Sequence, residues 1–268
     1  MFIINLNIIF IFNFRLLLRL RFDPKSTNII GFGEKFGCLP GQHAKLLMNK
    51  AKELDLNIKG IAFHIGVGCL EYDIFEKAIR DSAEMFQYGK SIGYNMDLLD
   101  IGGGFPGKEI ETITCVSKVI NAALHKYFPD MSVKVISEPG SFFSEKCFTL
   151  AANVHSKNIK IDDNGNEVYH YYITDGIYQS FNFNSTHGVP VEMKTLKKYD
   201  GKPLKKSIIW GRACDPHDIV ARDVFLPEME TGDWLVFDNS GNYRVATSTT
   251  FNGFEAHPIH CFITKQYW

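Results

Sequence analysis

Three consecutive glycines, Gly102-Gly103-Gly104, close the apolar stretch Leu98-Leu99-Asp100-Ile101. Without a Cβ, such a run lets backbone N–H groups approach an anion closely enough to hold it. The chemistry this suggests is capture of a phosphate, and with it a phosphate-bearing cofactor; a plain tight turn uses the same residues. Two more groups of chemical interest end apolar stretches in the same way: His64 in His64–Cys69, and Glu138 in Glu138-Pro139-Gly140.

The elements that must position these groups recur with a regular rhythm. Apolar strand candidates stand at Leu16–Leu20, Ile58–Ile65, Met96–Gly104 and Val133–Gly140. Their spacing of about 40 residues is that of one strand, one helix and two loops. Helical periodicity fills the gaps, in His43–Leu54 through Leu46, Leu47 and Ala51, and in Tyr72–Ile92 through Phe75, Ala78, Ile79, Ala83 and Phe86. Repeated βα units imply a parallel sheet, and near-continuous apolar strands such as Ile61-Ala62-Phe63 suit one covered on both faces. In a (β/α)₈ barrel the ligand groups follow the strands, which is where these residues lie.

After about residue 145 the period changes. Short aromatic-rich runs follow at Phe148–Val154, Val168–Ile173, Ser207–Trp210, Asp233–Phe237 and Ile259–Thr264, and Asp162-Asp163-Asn164-Gly165-Asn166 is a hairpin signal between two of them. The expected organisation is an atypical segment over 1–14, a partial (β/α) barrel over 15–144 and an all-β domain over 145–268. For 1–14, apolar and uncharged, three readings stand: a non-native start joined to the domain, an ordinary strand, or a targeting segment. It is too short to span a bilayer as a helix.

The chain has 268 residues, 45% hydrophobic and 13% aromatic, which is ample core material for two domains. A net charge of −1 offers no basic footprint for nucleic acid, and nothing points to a membrane. Its six cysteines, Cys38, Cys69, Cys115, Cys147, Cys214 and Cys261, form no C-x-x-C pair or disulfide framework, so reduced thiols in a cytoplasmic protein are expected.

Six segments resemble, in order, eukaryotic ornithine decarboxylase, a family that includes catalytically silent antizyme inhibitors. They are F-H-I-G-V-G-C at 63–69, L-L-D-I-G-G-G-F-P-G at 98–107, S-E-P-G at 137–140, W-G-R-A-C-D at 210–215, L-P-E-M-E-T-G-D-W at 226–234 and F-N-G-F at 251–254. The resemblance implies an α/β plus all-β fold: the C-terminal half of an alanine-racemase-type (β/α)₈ barrel, then a β-sheet or β-barrel domain. It also implies pyridoxal 5′-phosphate as cofactor, ornithine or a related basic amino acid as substrate, and putrescine and CO₂ as products in polyamine synthesis.

Carried over position by position, the resemblance makes Glu138 the carboxylate that keeps the cofactor's pyridine nitrogen protonated. His64 becomes the imidazole stacked on its ring, Gly102, Gly103 and Gly104 its phosphate cradle, and Tyr243 a hydroxyl donor to that phosphate. Cys214 and Asp215 resemble the pair that one subunit of a head-to-tail dimer lends its neighbour. The thiol handles protonation at the substrate carbon, and the carboxylate binds the distal ammonium. A homodimer, or a heterodimer with an intact paralogue, is expected, with Phe251 and Phe254 near the interface.

Four departures weaken the expected chemistry. The barrel half that should precede Leu16, with the family's Schiff-base lysine and its antizyme-binding element, is not in this sequence, and Lys35 matches a different family segment. Val67 replaces a serine that donates to the phosphate. Ser141 replaces an arginine, and losing a hydrogen bond to a charged group, roughly 1.5–3 kcal/mol, weakens cofactor binding about tenfold or more. Ser185 and Thr186 stand where the family has a Tyr-Asp pair. A weakly active or inactive decarboxylase is expected, with a non-catalytic antizyme-inhibitor-like regulator as the alternative.

Overall fold

The structure, a computed structural model, describes residues 15–24, 31, 35–69, 71–108, 110–130 and 132–261. The segment 1–14 and residues 262–264 of the last expected strand lie outside these. The chain divides into two compact units after Gly140.

In the first unit, strands β1 (Leu16–Leu20), β2 (Ile58–Phe63), β3 (Leu98–Asp100) and β4 (Lys134–Ile136) form a four-stranded sheet in sequence order. Every pairing is parallel, with Leu20 opposite Phe63, Ala62 opposite Asp100, and Asp100 opposite Ile136. Helices α1 (Gln42–Glu53), α2 (Asp73–Ser91) and α3 (Ile110–Tyr127) make the crossovers. Buried side chains from both layers, among them Ile61, Phe63, Phe75, Ile79, Leu99, Val116 and Ile120, form one core.

On α2 the expected stripe is largely buried, with Phe75, Ala78, Ile79 and Ala83 covered and Phe86 edge-on to Phe128 at 5.3 Å. On α1 the expectation fails: Ala44 and Met48 are buried, while Leu46 and Leu47 are 58% and 40% exposed. Ala44, Met48 and Ala51 recur at i, i+4 and i+7, one helical face, whereas Leu46 and Leu47 fall on the next. The larger apolar residues are not the seam.

Helix α4 (Gly140–Ser144) spans the division, and the second unit is built on a six-stranded sheet. Its strands are β5 (Leu150–Ile161), β6 (Glu167–Ile173), β7 (Lys194–Thr195), β8 (Leu204–Trp210), β9 (Ile219–Pro227) and β10 (Trp234–Phe237), in the order β7-β10-β5-β6-β8-β9. Only β6 and β8 are parallel neighbours. Helix α5 (Asn182–His187) lies between β6 and β7 in sequence. Tyr169, Tyr171, Ile173, Phe181, Ile209, Leu235 and Phe237 make its core.

The hairpin between β5 and β6 forms where expected. The Asp162 carboxylate accepts the Asn164 and Asn166 N–H groups at 3.0 and 2.9 Å, and Gly165 adopts φ 81°. Residues 259–261, by contrast, form no strand. Strand β9 was not anticipated: Arg222-Asp223 interrupts its apolar alternation, and Asp223 at φ 53° belongs to a segment where the register against β8 shifts.

Candidate functional site

The carboxyl ends of β2, β3 and β4 place their following loops side by side. The Ile101 N–H donates to the Ile136 carbonyl at 3.0 Å, and the Glu138 N–H donates to the Gly102 carbonyl at 2.8 Å. The buried Asp100 carboxylate accepts the Gly102 N–H at 2.9 Å and so fixes the glycine loop from below, a role the sequence did not announce. A Cβ on Gly102 would lie 2.3 Å from the Phe63 carbonyl oxygen. On Gly103 it would lie 2.4 Å from the Glu138 carbonyl oxygen and 3.2 Å from His64 Nε2, and on Gly104 2.0 Å from the Gly66 carbonyl oxygen. All three loops therefore meet on these glycines, and no side chain fits between them.

His64 is half-buried at the end of β2, and its Nδ1 accepts the Gly66 N–H at 3.0 Å. Burial, with the charge of Arg19 adding to it, pushes its pKa down from 6.5 to about 4. At neutral pH the ring is therefore uncharged, and with Nδ1 accepting the Gly66 N–H its proton sits on Nε2. Among the described residues neither the Gly103 nor the Gly104 N–H has a hydrogen-bond acceptor, and the Glu138 carboxylate has no donor or cation beside it. A flat neutral ring, open backbone donors and an unpartnered carboxylate around one loop fit a planar cofactor with a phosphate tail. Val67 brings no hydroxyl to this cluster.

The sheet's own lysines do not join it. Lys59 and Lys134 sit at the amino ends of β2 and β4, and Lys59 Nζ donates to the Asn95 carbonyl at 3.3 Å. Lys35 Nζ packs 5.2 Å from the ring of its neighbour Phe36.

In the second unit, the loop joining β8 to β9 carries Cys214 and Asp215. Asp218, 1% exposed, accepts the Ile177 N–H through Oδ1 and the Ala213 N–H through Oδ2, both at 2.8 Å. Cβ atoms on Gly176 and Gly211 would lie 2.5 and 2.1 Å from its Oδ1, so the loop closes around this carboxylate only with glycines there. Cys214 is exposed, and its N–H donates to Asn252 Oδ1 at 2.9 Å.

Asp215 is held by two partners. Its Oδ2 accepts the Tyr178 hydroxyl, and its Oδ1 accepts the His217 N–H at 2.9 Å. The Tyr178 bond, with those from His217, lowers its pKa to about 2. Tyr178 stacks on Phe251 with ring centres 4.2 Å apart, which ties the 249–254 segment to the same loop. Sequence reading missed Tyr178 and Asp218; the only signal was their closeness to Ser180-Phe181 and to Cys214-Asp215. Tyr243 packs elsewhere, face to face with Phe183 at 4.9 Å, on a left-handed backbone at φ 49°. Ser185 and Thr186 are exposed on α5.

Residues 11–145 match the family described as pyridoxal-dependent decarboxylase, pyridoxal binding domain. The chain belongs to this family. It is 39% identical over 266 residues to the ornithine decarboxylase of Cricetulus griseus, covering 95% of this chain and 58% of that protein. It is 38% identical over 269 residues to antizyme inhibitor 2 of Xenopus laevis, covering 96% and 58%. The crystal structure of the Paramecium bursaria Chlorella virus arginine decarboxylase bound to agmatine superposes with a TM-score of 0.82 at 32% identity, covering 90% of this chain and 63% of that one. The chain thus spans under two thirds of the length of these relatives. Its fold is theirs, β/α-barrel strands followed by a β-sheet domain. Among the described residues no helix is long and apolar enough to cross a membrane.

Proposed function

We propose that the protein is a weakly active or inactive relative of ornithine decarboxylase that binds pyridoxal phosphate and ornithine or a related basic amino acid, and that Val67 and Ser141 lower its hold on the cofactor. The observation carrying this reading is the strand-end cluster of neutral His64, Glu138 and the open Gly103 and Gly104 N–H groups. The cofactor, when bound, supplies a ring that accepts the electron pair left as CO₂ departs.

The chain's residues would then divide the work. His64 offers its uncharged face to the ring, and Glu138 holds the proton on the pyridine nitrogen. Gly103 and Gly104 donate to the phosphate. Asp215, charged at any pH above about 2, receives the substrate's distal ammonium. The exposed Cys214 thiol delivers a proton to the substrate carbon. We further propose a cytoplasmic dimer, formed with itself or with a paralogue, using the apolar stretch in which Tyr243, Val245 and Phe251 are 48%, 48% and 41% exposed.

Ser185 and Thr186, which offer no carboxylate, favour a second reading, a non-catalytic regulator of the antizyme-inhibitor kind. Two measurements on one preparation separate them: retention of pyridoxal phosphate through gel filtration, and CO₂ release from carboxyl-labelled ornithine with cofactor in excess. Val67→Ser combined with Ser141→Arg should raise retention, and unchanged retention would refute the placement of these residues at the phosphate. Release by the double variant supports the lyase, and retention without release supports the regulator.

A further inference from the structure

Asp215 faces a group that its proposed role does not use. His217 Nδ1 lies 3.0 Å from Asp215 Oδ1, the same oxygen that accepts the His217 N–H. The imidazole is 86% exposed and the carboxylate side chain only 19%. The exposed ring thus sits on Oδ1, while Tyr178 occupies Oδ2. We propose that His217 is a positioning residue that competes for Asp215 in a proton-dependent way, setting how firmly the carboxylate holds a ligand ammonium. This rests on the reading of Asp215 given above.

The physical basis is a change in the kind of bond. A neutral imidazole offers Oδ1 one ordinary hydrogen bond and leaves the carboxylate's charge for an incoming cation. An imidazolium forms an ion pair, and an arriving ammonium must then displace or share a like charge. Because the ring is exposed, it can swing aside without losing packing, so both arrangements are accessible.

The other charged and titratable groups on the segments around this pair are Tyr178 and Asp175 from the turn after β6, Arg212, Cys214 and Asp218 from the loop itself, and Glu255 and His257 from the final segment. The bond to Asp215 pushes Tyr178 up from 10, away from neutral pH. Burial pushes Asp218 up, but its two N–H bonds are the same whatever stands at 217. Arg212 points away, donating to the Glu255 carbonyl at 2.7 Å with Phe254 against its guanidinium, and His257 donates to the Thr174 carbonyl or pairs with Asp175. Substituting His217 therefore isolates its contribution.

The test is calorimetric binding of 1,4-diaminobutane to the full chain, a probe whose two amines stay charged between about pH 5.5 and pH 8. For the unsubstituted protein the affinity should fall about threefold on acidification across that range, the scale of an exposed ion pair. His217→Gln, which keeps the backbone donor, should bind at both pH values as the unsubstituted protein does at the higher one. Asp215→Asn should lose binding at both. A His217→Gln variant with an undiminished pH dependence overturns the proposal and leaves Asp215's role standing. An Asp215→Asn variant that binds normally, or no binding by the unsubstituted protein, overturns both.

Discussion

The neutral state of His64 is a stability statement as well as a chemical one. Its pKa of about 4 in the folded protein compares with 6.5 for an ordinary histidine. On acidification the unfolded chain takes up a proton that the folded chain refuses, so this contribution to stability is complete above pH 6.5 and is lost as pH falls towards 4. At 1.36 kcal/mol per tenfold change in proton affinity, the loss relative to neutral pH is about 2 kcal/mol at pH 5 and about 3 kcal/mol at pH 4. His64→Asn keeps an acceptor for the Gly66 N–H and removes the titration. Urea unfolding followed at 222 nm suits the measurement, because the three long helices α1, α2 and α3 all belong to the unit that contains His64. Other titrating groups contribute equally to both proteins, so the difference between the two stability profiles isolates this ring. The variant's stability should decline less steeply below pH 6.5, the gap reaching about 2 kcal/mol at pH 5. Parallel profiles would refute the assignment of a buried, uncharged imidazole.

Gly104→Ala should destabilise the first unit by roughly 2 kcal/mol or more and abolish cofactor retention, since φ is +82° and the new Cβ would lie 2.0 Å from the Gly66 carbonyl oxygen; urea midpoints and gel filtration with pyridoxal phosphate check it. Gln179 is fully buried with neither amide atom partnered, so Gln179→Met should stabilise the second unit by about 1 kcal/mol in tryptophan-monitored unfolding, and a loss would show that its amide is satisfied. Tyr178→Phe removes the largest cause of Asp215's low pKa, so the carboxyl carbon resonance should titrate nearer the ordinary aspartate value of 3.8. Phe254→Ala should shift sedimentation towards the monomer if the segment around it docks a second subunit, because each contact at a two-fold interface occurs twice.

What could be read in the sequence was whatever a local pattern encodes. The four parallel strands were legible because each is apolar and followed by glycine or proline, and the hairpin because Asp162 and Gly165 act on neighbouring backbone. Strand β9 was not, because its pairing with β8 is non-local and tolerates a charged interruption that reads as a loop. The seam of α1 was misjudged because size was taken for burial: Met48 and Ala44 are buried, and the leucines beside them are not. At the site, His64, Glu138 and the glycines announced themselves by type and by place at strand ends. Tyr178 and Asp218 could not, since one is 37 residues from Asp215 and the other 41 from Ile177, whose N–H it accepts.

The carboxylates make the same point about chemistry. Asp100, Asp215 and Asp218 each accept backbone N–H groups, yet they can do different things because their surroundings differ. Asp100 and Asp218 are buried and accept N–H groups of the loops they organise, so their energy goes into holding Gly102, Ile177 and Ala213 in place. Asp215 is ionised, and its Oδ1 is shared with an exposed ring that can move. Among the described residues no protein partner holds the Glu138 carboxylate. A carboxylate committed to its own backbone is scaffold, and one left with a removable partner or none is available to a ligand. By that criterion Glu138 and Asp215 are where binding experiments on this protein will find their largest effects.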